Sequence, residues 1–454
     1  MKKQALKTNL FKHYKHKAPL SPSFSKISLP KISSHHQSLK KQLTLSSQTL
    51  IDITLFFLTE INNGLHQKKS SLKMLKTHIK PSSQKKSGIT LAIDWGGSNL
   101  RILKVNLDPK IINPEEIDIS KKIQKKISPI EKKHPLLIFD HIAQHIRKLI
   151  SQENNQTDIS LGLTFSFHLN AKNASHGQII TLSKEFCETE IKGKDPHVLL
   201  QNALKKIHLS NIKIKALLND TTGTLITKAY FNQNCDVSMI LGSGTNICLL
   251  IDKMIYVTES GDFAIQQIIP RTEFDKTLDQ NSENPGQQIA EKMISGAYLG
   301  ELFRLIILKT LTNLPSSHLI HKKNSFHTPY LSEIEKDTSL GLKKTKQILT
   351  TLQIESTLAT RIKAKKIIQL ISNRSAKIAA ACLAGSLKKI DPTLSQNHVV
   401  AIDGSIFEKY YKYSERMISS LNNIFKNNNK KINLVLTKNG SLLGAAIAAL
   451  NQTD

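Results

Sequence analysis

Three short segments of this 454-residue chain combine turn residues with groups that can hold a phosphate or take a proton. The first runs Asp94-Trp95-Gly96-Gly97-Ser98-Asn99-Leu100-Arg101. Gly96 and Gly97 are expected to let the backbone turn with positive φ, so that successive N–H groups point at a phosphate. Ser98 and Asn99 add side-chain donors, and Arg101 adds a rigid cationic fork. Asp94 could hold a Mg²⁺ through water. The second segment is Asn219-Asp220-Thr221-Thr222-Gly223-Thr224, at the end of the apolar run Ile214–Leu218. A carboxylate at the C-terminal end of a strand commonly faces a cleft in an open α/β sheet. Asp220 could take a proton from a substrate hydroxyl, and Asn219 could orient that hydroxyl. The third segment, Gly242-Ser243-Gly244-Thr245-Asn246, repeats the logic of the first. Each has a plain alternative when taken alone: an ordinary turn, or an Asp/Asn side chain bonded to its own backbone.

The elements that would position these groups follow from hydrophobic periodicity. Ile89–Trp95 and Arg101–Leu107 read as strands of a hairpin around the first turn, and Val237–Leu241 and Ile247–Ile251 as a strand pair around the third. Ile159–Phe165, Ile214–Leu218, Val399–Ile402 and Ile432–Leu436 are further strand candidates. Leu50, Ile53, Phe57 and Ile61 lie at helical spacing, with Gly64 a plausible stop. One apolar stripe over Glu291–Leu308 predicts a single helix, and Lys363–Leu387 predicts another. Strands mixed with helices give an α/β architecture. Two phosphate-type turns in one chain suggest two lobes gripping one nucleotide. Neither a Walker A loop nor the protein-kinase motif set is present.

Composition narrows the partners. The net charge is +29, and residues 1–51 hold ten Lys with no Arg and no acid, leaving +19 for the rest. No basic stripe interleaved with aromatic residues is evident, so nucleic acid is not expected as a partner. Residues 1–45 lack periodicity and read as a basic disordered arm of unknown role. Cys187, Cys235, Cys248 and Cys382 show no CxxC spacing, which argues against a zinc site or disulfide framework and for a reducing, cytoplasmic setting. No apolar run approaches the roughly 20 residues of a membrane span, and residues 1–19 lack the apolar core of a secretory signal.

Together the three loops, in this order, resemble the hexokinase family of eukaryotic type, in the actin-like ATPase superfamily. Further segments match it: Leu161-Gly162-Leu163-Thr164-Phe165-Ser166-Phe167; Ser183-Lys184; Glu291–Glu301; Ala401-Ile402-Asp403-Gly404-Ser405 with Ser414-Glu415-Arg416-Met417; and Gly440-Ser441 with Gly444-Ala445-Ala446. The resemblance covers roughly residues 45–454. It implies a two-lobed, ribonuclease H-like fold with a sugar/ATP cleft between a small and a large domain. The implied division is a helical segment at 46–88 packing on the large domain, a small domain at 89–220 joined by 438–454, and a large domain at 221–437.

The same resemblance implies roles for particular residues. Asp220 would be the general base toward the sugar 6-hydroxyl, with Lys184 and Arg101 assisting. Ser166, Ser183, Lys184, Asn219, Asp220, Asn246, Glu259 and Glu291 would hold a hexose, most simply glucose. ATP phosphates would lie between the turns Gly96-Gly97-Ser98-Asn99 and Gly242-Ser243-Gly244, with Gly404 and Ser405 at the adenosine. Mg²⁺ would bridge the phosphates. The implied reaction makes hexose 6-phosphate and ADP at the head of glycolysis, in a monomer or homodimer. The competing readings are a non-catalytic sugar sensor, a basic nucleic-acid binder, or another sugar or acetate kinase on the same scaffold.

The chain departs from the family at several places. Val257 stands where Asn is usual, His168 where Pro is usual, and Glu185 where Gly is usual. Leu442-Leu443 replaces Gly-Lys, and Ser260-Gly261-Asp262-Phe263 replaces the Trp/Tyr-Gly-x-Phe continuation. One sugar contact is therefore expected to be missing or supplied otherwise, and a C-terminal turn or nucleotide-side contact altered. An active enzyme with changed sugar selectivity is expected.

Overall fold

The computed structural model describes residues 34–81, 85–97, 99–150, 157–182, 186–310, 317–426 and 431–452. The chain divides into a unit ending at Lys41 and a unit Gln42–Asp454 that carries both main sheets. Helix α1 (Ser34–Leu43) lies inside the segment expected to be a disordered arm, which corrects that expectation for these ten residues. Its apolar positions, Leu39 and Leu43, are too few to stand out from the surrounding Lys, His and Ser.

In the second unit, α2 (Ser47–Leu65) is capped by Ser46 Oγ on the Thr49 N–H, and β1 (Leu75–Lys76) follows. The next segment comprises β2 (Gly88–Trp95), β3 (Asn99–Leu107), β4 (Asp118–Lys126), α3 (Pro129–Lys133), α4 (Leu136–Leu149) and β5 (Ile159–Phe165). It continues with the hairpin β6 (His168–Ala171) and β7 (Gly177–Thr181), then α5 (Pro196–Lys206) and β8 (Ile212–Leu218). Helix α6 (Asp220–Phe231) leads to β9 (Cys235–Leu241), β10 (Thr245–Ile251) and β11 (Met254–Val257). A helical stretch follows: α7 (Glu273–Gln280), α8 (Ile289–Ile294), α9 (Gly296–Thr310), α10 (Thr328–Lys336), α11 (Lys343–Thr351) and the long α12 (Leu358–Ile390). The chain closes with β12 (His398–Asp403), α13 (Ser405–Lys409), α14 (Tyr413–Ile424), β13 (Ile432–Leu436) and α15 (Gly440–Asn451).

The two main sheets are built to one plan. The five-stranded sheet has the order β4-β3-β2-β5-β8, and the other has β11-β10-β9-β12-β13 with β1 added at its edge. In each, three antiparallel strands are followed by two that run parallel to the first. The connection that produces this order places a glycine turn between the first two strands of both sheets. Each final strand then feeds a helix, α6 after β8 and α15 after β13.

Strand alternation explains the core. Leu91, Ile93 and Trp95 of β2 join a cluster with Ile138, Phe139 and Ile142 of α4. Ala92, between them, faces the opposite way into a second cluster. That cluster contains Cys248 and Val257 of the larger sheet, together with residues of α6 and α15. The smaller sheet is therefore covered on both faces, as its parallel strands require. Helix α2 packs on α12, and β1 pairs with β11.

One predicted helix is two. The stripe expected over Glu291–Leu308 breaks at Ser295, which is extended (φ −87°, ψ 157°) and separates α8 from α9. The tertiary reason lies in the next residue. The Gly296 N–H donates to the Gly242 carbonyl at 2.8 Å, so the second helix starts against the third glycine turn. Periodicity continues through the break because both helices bury their apolar sides in the same unit.

Candidate active site

Candidate side chains from several elements lie at the strand ends of the two sheets. Across β2, β5 and β8, Asp94 pairs with Thr164, and Thr164 with Leu218. Ser166 and Asp220, each two residues further on, therefore follow the ends of neighbouring strands. The Ser166 N–H donates to the Trp95 carbonyl at 3.1 Å, which fixes that turn. Beneath it, Trp95 meets Phe165 and Phe167 edge to face, at 5.2 and 5.9 Å between ring centres.

Asp220 is the first residue of α6, where the helix end favours a negative charge. Its Oδ1 accepts the Thr221 N–H at 2.8 Å and the Thr221 hydroxyl at 3.2 Å. Asn219 is the cap: its Oδ1 accepts the Thr222 N–H at 2.8 Å. The local role weighed for this Asp/Asn turn is thus real, and it is what holds Asp220 in place. The start of α6 is tied to the larger sheet as well. Ser238 Oγ of β9 donates to the Thr221 carbonyl at 2.8 Å, and Thr222 Oγ1 lies 3.8 Å from Cys248 Sγ of β10.

Arg101 closes one side of the site. Its guanidinium pairs with the Asp94 carboxylate, reaches Asn439 Oδ1 at 3.3 Å and Ser441 Oγ at 3.2 Å. Ser441 Oγ also donates to Asp94 Oδ2 at 3.1 Å. Burial works to lower the Arg101 pKa, but the charges of Asp94, Asp403 and Asp220 more than offset it and raise it. Asp403, at the end of β12, accepts the Gly440 N–H at 3.1 Å. Burial pushes its carboxyl up, opposed by Arg101 and reinforced by the Asp94 charge. Three carboxylates thus share the field of one arginine. In the sequence Asp403 stands out only as one residue of the Ala401–Ser405 segment. The available signal was a carboxylate before a glycine at the end of an apolar strand, the logic already applied to Asp220. Asn439 carries no local signal, and Ser441, although part of the Gly440-Ser441 segment, carries none that pairs it with Arg101, because both reach the guanidinium from more than 300 residues away.

The glycines of the two turns act by close approach. None of Gly96, Gly242 and Gly244 has φ in the left-handed range, contrary to expectation. The Gly96 N–H instead donates to the Asn99 carbonyl, and the Gly242 N–H to the Gly244 carbonyl, closing tight turns at 3.1 and 3.0 Å. A Cβ on Gly244 would stand 2.8 Å from Glu291 Oε2. The positive φ falls on Gly404, at +124°, where a Cβ would come within 2.3 Å of the Leu241 carbonyl. Gly404 and Ser405 therefore abut the Gly242-Ser243-Gly244 turn, whose Ser243 is exposed.

A second polar cluster lies beyond this turn. Glu291 Oε2 accepts the Thr245 N–H at 3.0 Å. Asn246 Nδ2 donates to Glu259 Oε1 at 3.2 Å, while Asn246 Oδ1 accepts the Ile247 and Ser260 N–H groups. Glu259 sits at φ 53°, ψ 50°, a conformation that costs a non-glycine residue energy. Burial works to raise its pKa, yet His168, Lys73 and Asn246 hold the carboxyl below the usual range. Burial and the Glu291 charge push the Tyr298 phenol up to about 12. Asn246, Glu259 and Glu291 are thus brought together, from the start of β10, the turn after β11 and α8. Ser98, Ser183, Lys184 and Glu185 lie outside the described residues.

The departures have structural readings. Val257 is buried in the cluster between the sheets, where an amide would lack a polar partner among its apolar neighbours. Leu442 and Leu443 are buried in the same cluster, and the turn before them is kept by the Gly440 bond to Asp403. Arg416, in the Ser414-Glu415-Arg416-Met417 segment, pairs with the buried Glu335 and donates to Ser372 Oγ at 2.9 Å. The four cysteines are unpaired, and among the described residues no His/Cys/Asp/Glu group is arranged to hold a metal directly.

Two copies of one sheet plan, with a glycine turn in each and a helix from each crossing between them, are the arrangement of the actin-like ATPase fold. A Schistosoma mansoni hexokinase complexed with glucose superposes with a TM-score of 0.79 at 29% identity, over 91% of this chain and 98% of that one. Hexokinase family models match residues 35–230 and 236–451. Hexokinase-1 of Rattus norvegicus is 32% identical over 435 residues, covering 89% of this chain and 46% of the relative. Hexokinase-1 of Homo sapiens is 32% identical over 89% of this chain and 47% of its own length. The chain belongs to the hexokinase family. It spans about half the length of the curated relatives it matches.

Proposed function

We propose that this chain is an ATP-dependent hexokinase, transferring the γ-phosphoryl group of ATP to the 6-hydroxyl of a hexose, with glucose the first candidate. The observation that carries the reading is the placement of Asp220. Its carboxylate starts α6, within the field of Arg101, and the first turn of that helix lies against Cys248 of β10, the strand that carries Asn246. In this reading a sugar lies against Asn246, Glu259, Glu291, Ser166 and the undescribed Ser183-Lys184. Many hydroxyls need many paired donors and acceptors, and this set supplies both.

Asp220 takes the proton of the 6-hydroxyl as its oxygen attacks the γ-phosphorus, and ADP departs with the bridging oxygen. Gly96-Gly97 and Gly242-Ser243-Gly244 offer backbone N–H groups to the phosphates. Gly404 and Ser405 border the adenosine. The Asp94, Asp220 and Asp403 carboxylates fit a Mg²⁺ held through water and phosphate oxygens, since Asp94 Oδ2 is already engaged by Arg101 and Ser441. That ion would neutralise charge on the phosphates.

Residues 89–220 with 438–454 act as the smaller lobe and 221–437 as the larger, closing on the sugar to exclude water. The unpaired buried cysteines support a cytoplasmic setting, and the product suits the entry to glycolysis. The deciding experiment is ADP release with glucose, fructose, mannose and no sugar. Sugar-stimulated release is expected. Its absence in folded protein that binds sugar would overturn the catalytic reading in favour of a sensor.

A further inference from the structure

His168 opens the β6–β7 hairpin, two residues after Ser166. Its Nε2 lies 3.5 Å from Glu259 Oε2, within ion-pair range but beyond a well-formed hydrogen bond. That nitrogen is buried and has no hydrogen-bond partner. The other oxygen of the same carboxylate, Oε1, already accepts Asn246 Nδ2. One oxygen of Glu259 is therefore committed to an amide, and the second faces an imidazole.

Among the described residues, few charged groups face this pair. Lys73 also acts on Glu259, and it pairs with Asp262 at 2.9 Å. On the hairpin side, Thr181 is the strand partner of His168, and its hydroxyl is bonded to Glu188, which pairs with Lys192. Carboxylates and ammonium groups as classes keep their charge between about pH 5.5 and 8, whereas an imidazole changes its charge there.

We propose that His168 is a positioning residue that sets sugar affinity through Glu259. Uncharged, it leaves Glu259 Oε2 to a sugar hydroxyl. Charged, it draws that oxygen to itself and competes with the sugar. This rests on the sugar-pocket reading above and goes beyond it by making the pocket responsive to pH. The contact also joins the β6–β7 hairpin, a two-stranded sheet of its own that follows β5, to the loop carrying Glu259, so the competing pair sits where the two sides of the proposed pocket meet.

The test is glucose KM and kcat from about pH 5.5 to 8 for wild type, His168→Gln and His168→Lys. In wild type the glucose KM is expected to be about fivefold higher at the acid end, the worth of a modest ion pair. His168→Gln should give a glucose KM that does not change with pH, and a kcat whose ratio to wild type is constant. His168→Lys should hold the glucose KM high at every pH. Superimposable KM profiles for wild type and His168→Gln would overturn the proposal. So would a KM rise in His168→Gln that is equal at all pH values, because that marks a packing role. If wild type shows no sugar-stimulated ADP release at any pH, the kinase reading falls and this inference with it. Wild type alone thus separates the two failures.

Discussion

Gly223 and Gly444 meet backbone against backbone where α6 crosses α15. A Cβ on Gly444 would stand 1.9 Å from the Gly223 carbonyl oxygen, and one on Gly223 would stand 2.5 Å from the Ser441 carbonyl oxygen. These two helices follow the last strands of the two equivalent sheets. Their crossing brings the Asp220 end of one beside the Ser441 end of the other.

Gly444→Ala should therefore destabilise the protein by about 2 kcal/mol or more, since backbone cannot move aside as a flexible side chain can. Urea unfolding of wild type and variant reads this directly. The neighbouring Gly162→Ala should behave alike, because its Cβ would stand 2.0 Å from the Ala445 carbonyl oxygen. A midpoint unchanged in both would show that α15 does not approach α6 and β5 this closely.

Asp220→Ala should lower kcat by about 10²–10⁴-fold, the usual worth of a positioned base. Sugar KM should move far less. Thr222 is capped by Asn219, so the helix start survives the substitution. Circular dichroism with ADP-release kinetics checks both halves of the expectation. Retained kcat would remove Asp220 from the base role.

Arg101→Lys should cost about 10–100-fold in kcat/KM for ATP, the equivalent of one or two hydrogen bonds to charged groups. A lysine ammonium cannot span Asp94, Asn439 and Ser441 as the planar guanidinium does. Steady-state kinetics at varied ATP checks it, and a wild-type kcat/KM would show that the corner is only structural.

His398 gives a pH-dependent stability remote from the proposed chemistry. Its ring lies between Asp236, 2.6 Å from Nδ1, and Asp391, 3.2 Å from Nε2. The hydrogen bond and charge of Asp236, helped by Asp391, outweigh burial and raise the imidazole pKa. A group whose folded pKa is raised stabilises fully below its unfolded value, about 6.5 for an imidazole, and loses that contribution as pH rises through the folded value. The urea midpoint of wild type should fall, relative to His398→Gln, as pH rises above about 6.5 and through the raised folded value. Parallel curves for the two proteins would refute this.

Much of the sheet architecture was legible because glycine turns and β-prone runs are local signals. Ile159–Phe165 appears in the structure with the bounds read from the sequence, and both hairpins around the glycine turns formed. The strand β4 was not legible. It is an exposed edge whose Lys-rich sequence, Asp118–Lys126, shows little apolar pattern. The break at Ser295 was hidden because Gly296 is drawn to the Gly242 carbonyl by a contact more than 50 residues distant in sequence.

The sequence alone determined the candidate base, the two glycine turns and the family, since each is written in contiguous residues. Only tertiary structure decided how Arg101 is used. Its three partners come from β2 and from the start of the last helix, and nothing local predicts that a cation will be shared in this way. The same holds for His168. As a sequence letter it was a departure from a proline; in the fold its buried Nε2 lies 3.5 Å from Glu259 Oε2. Spacing along the chain records which groups are available, while the energies of hydrogen bonds and charges depend on distances that only the fold creates.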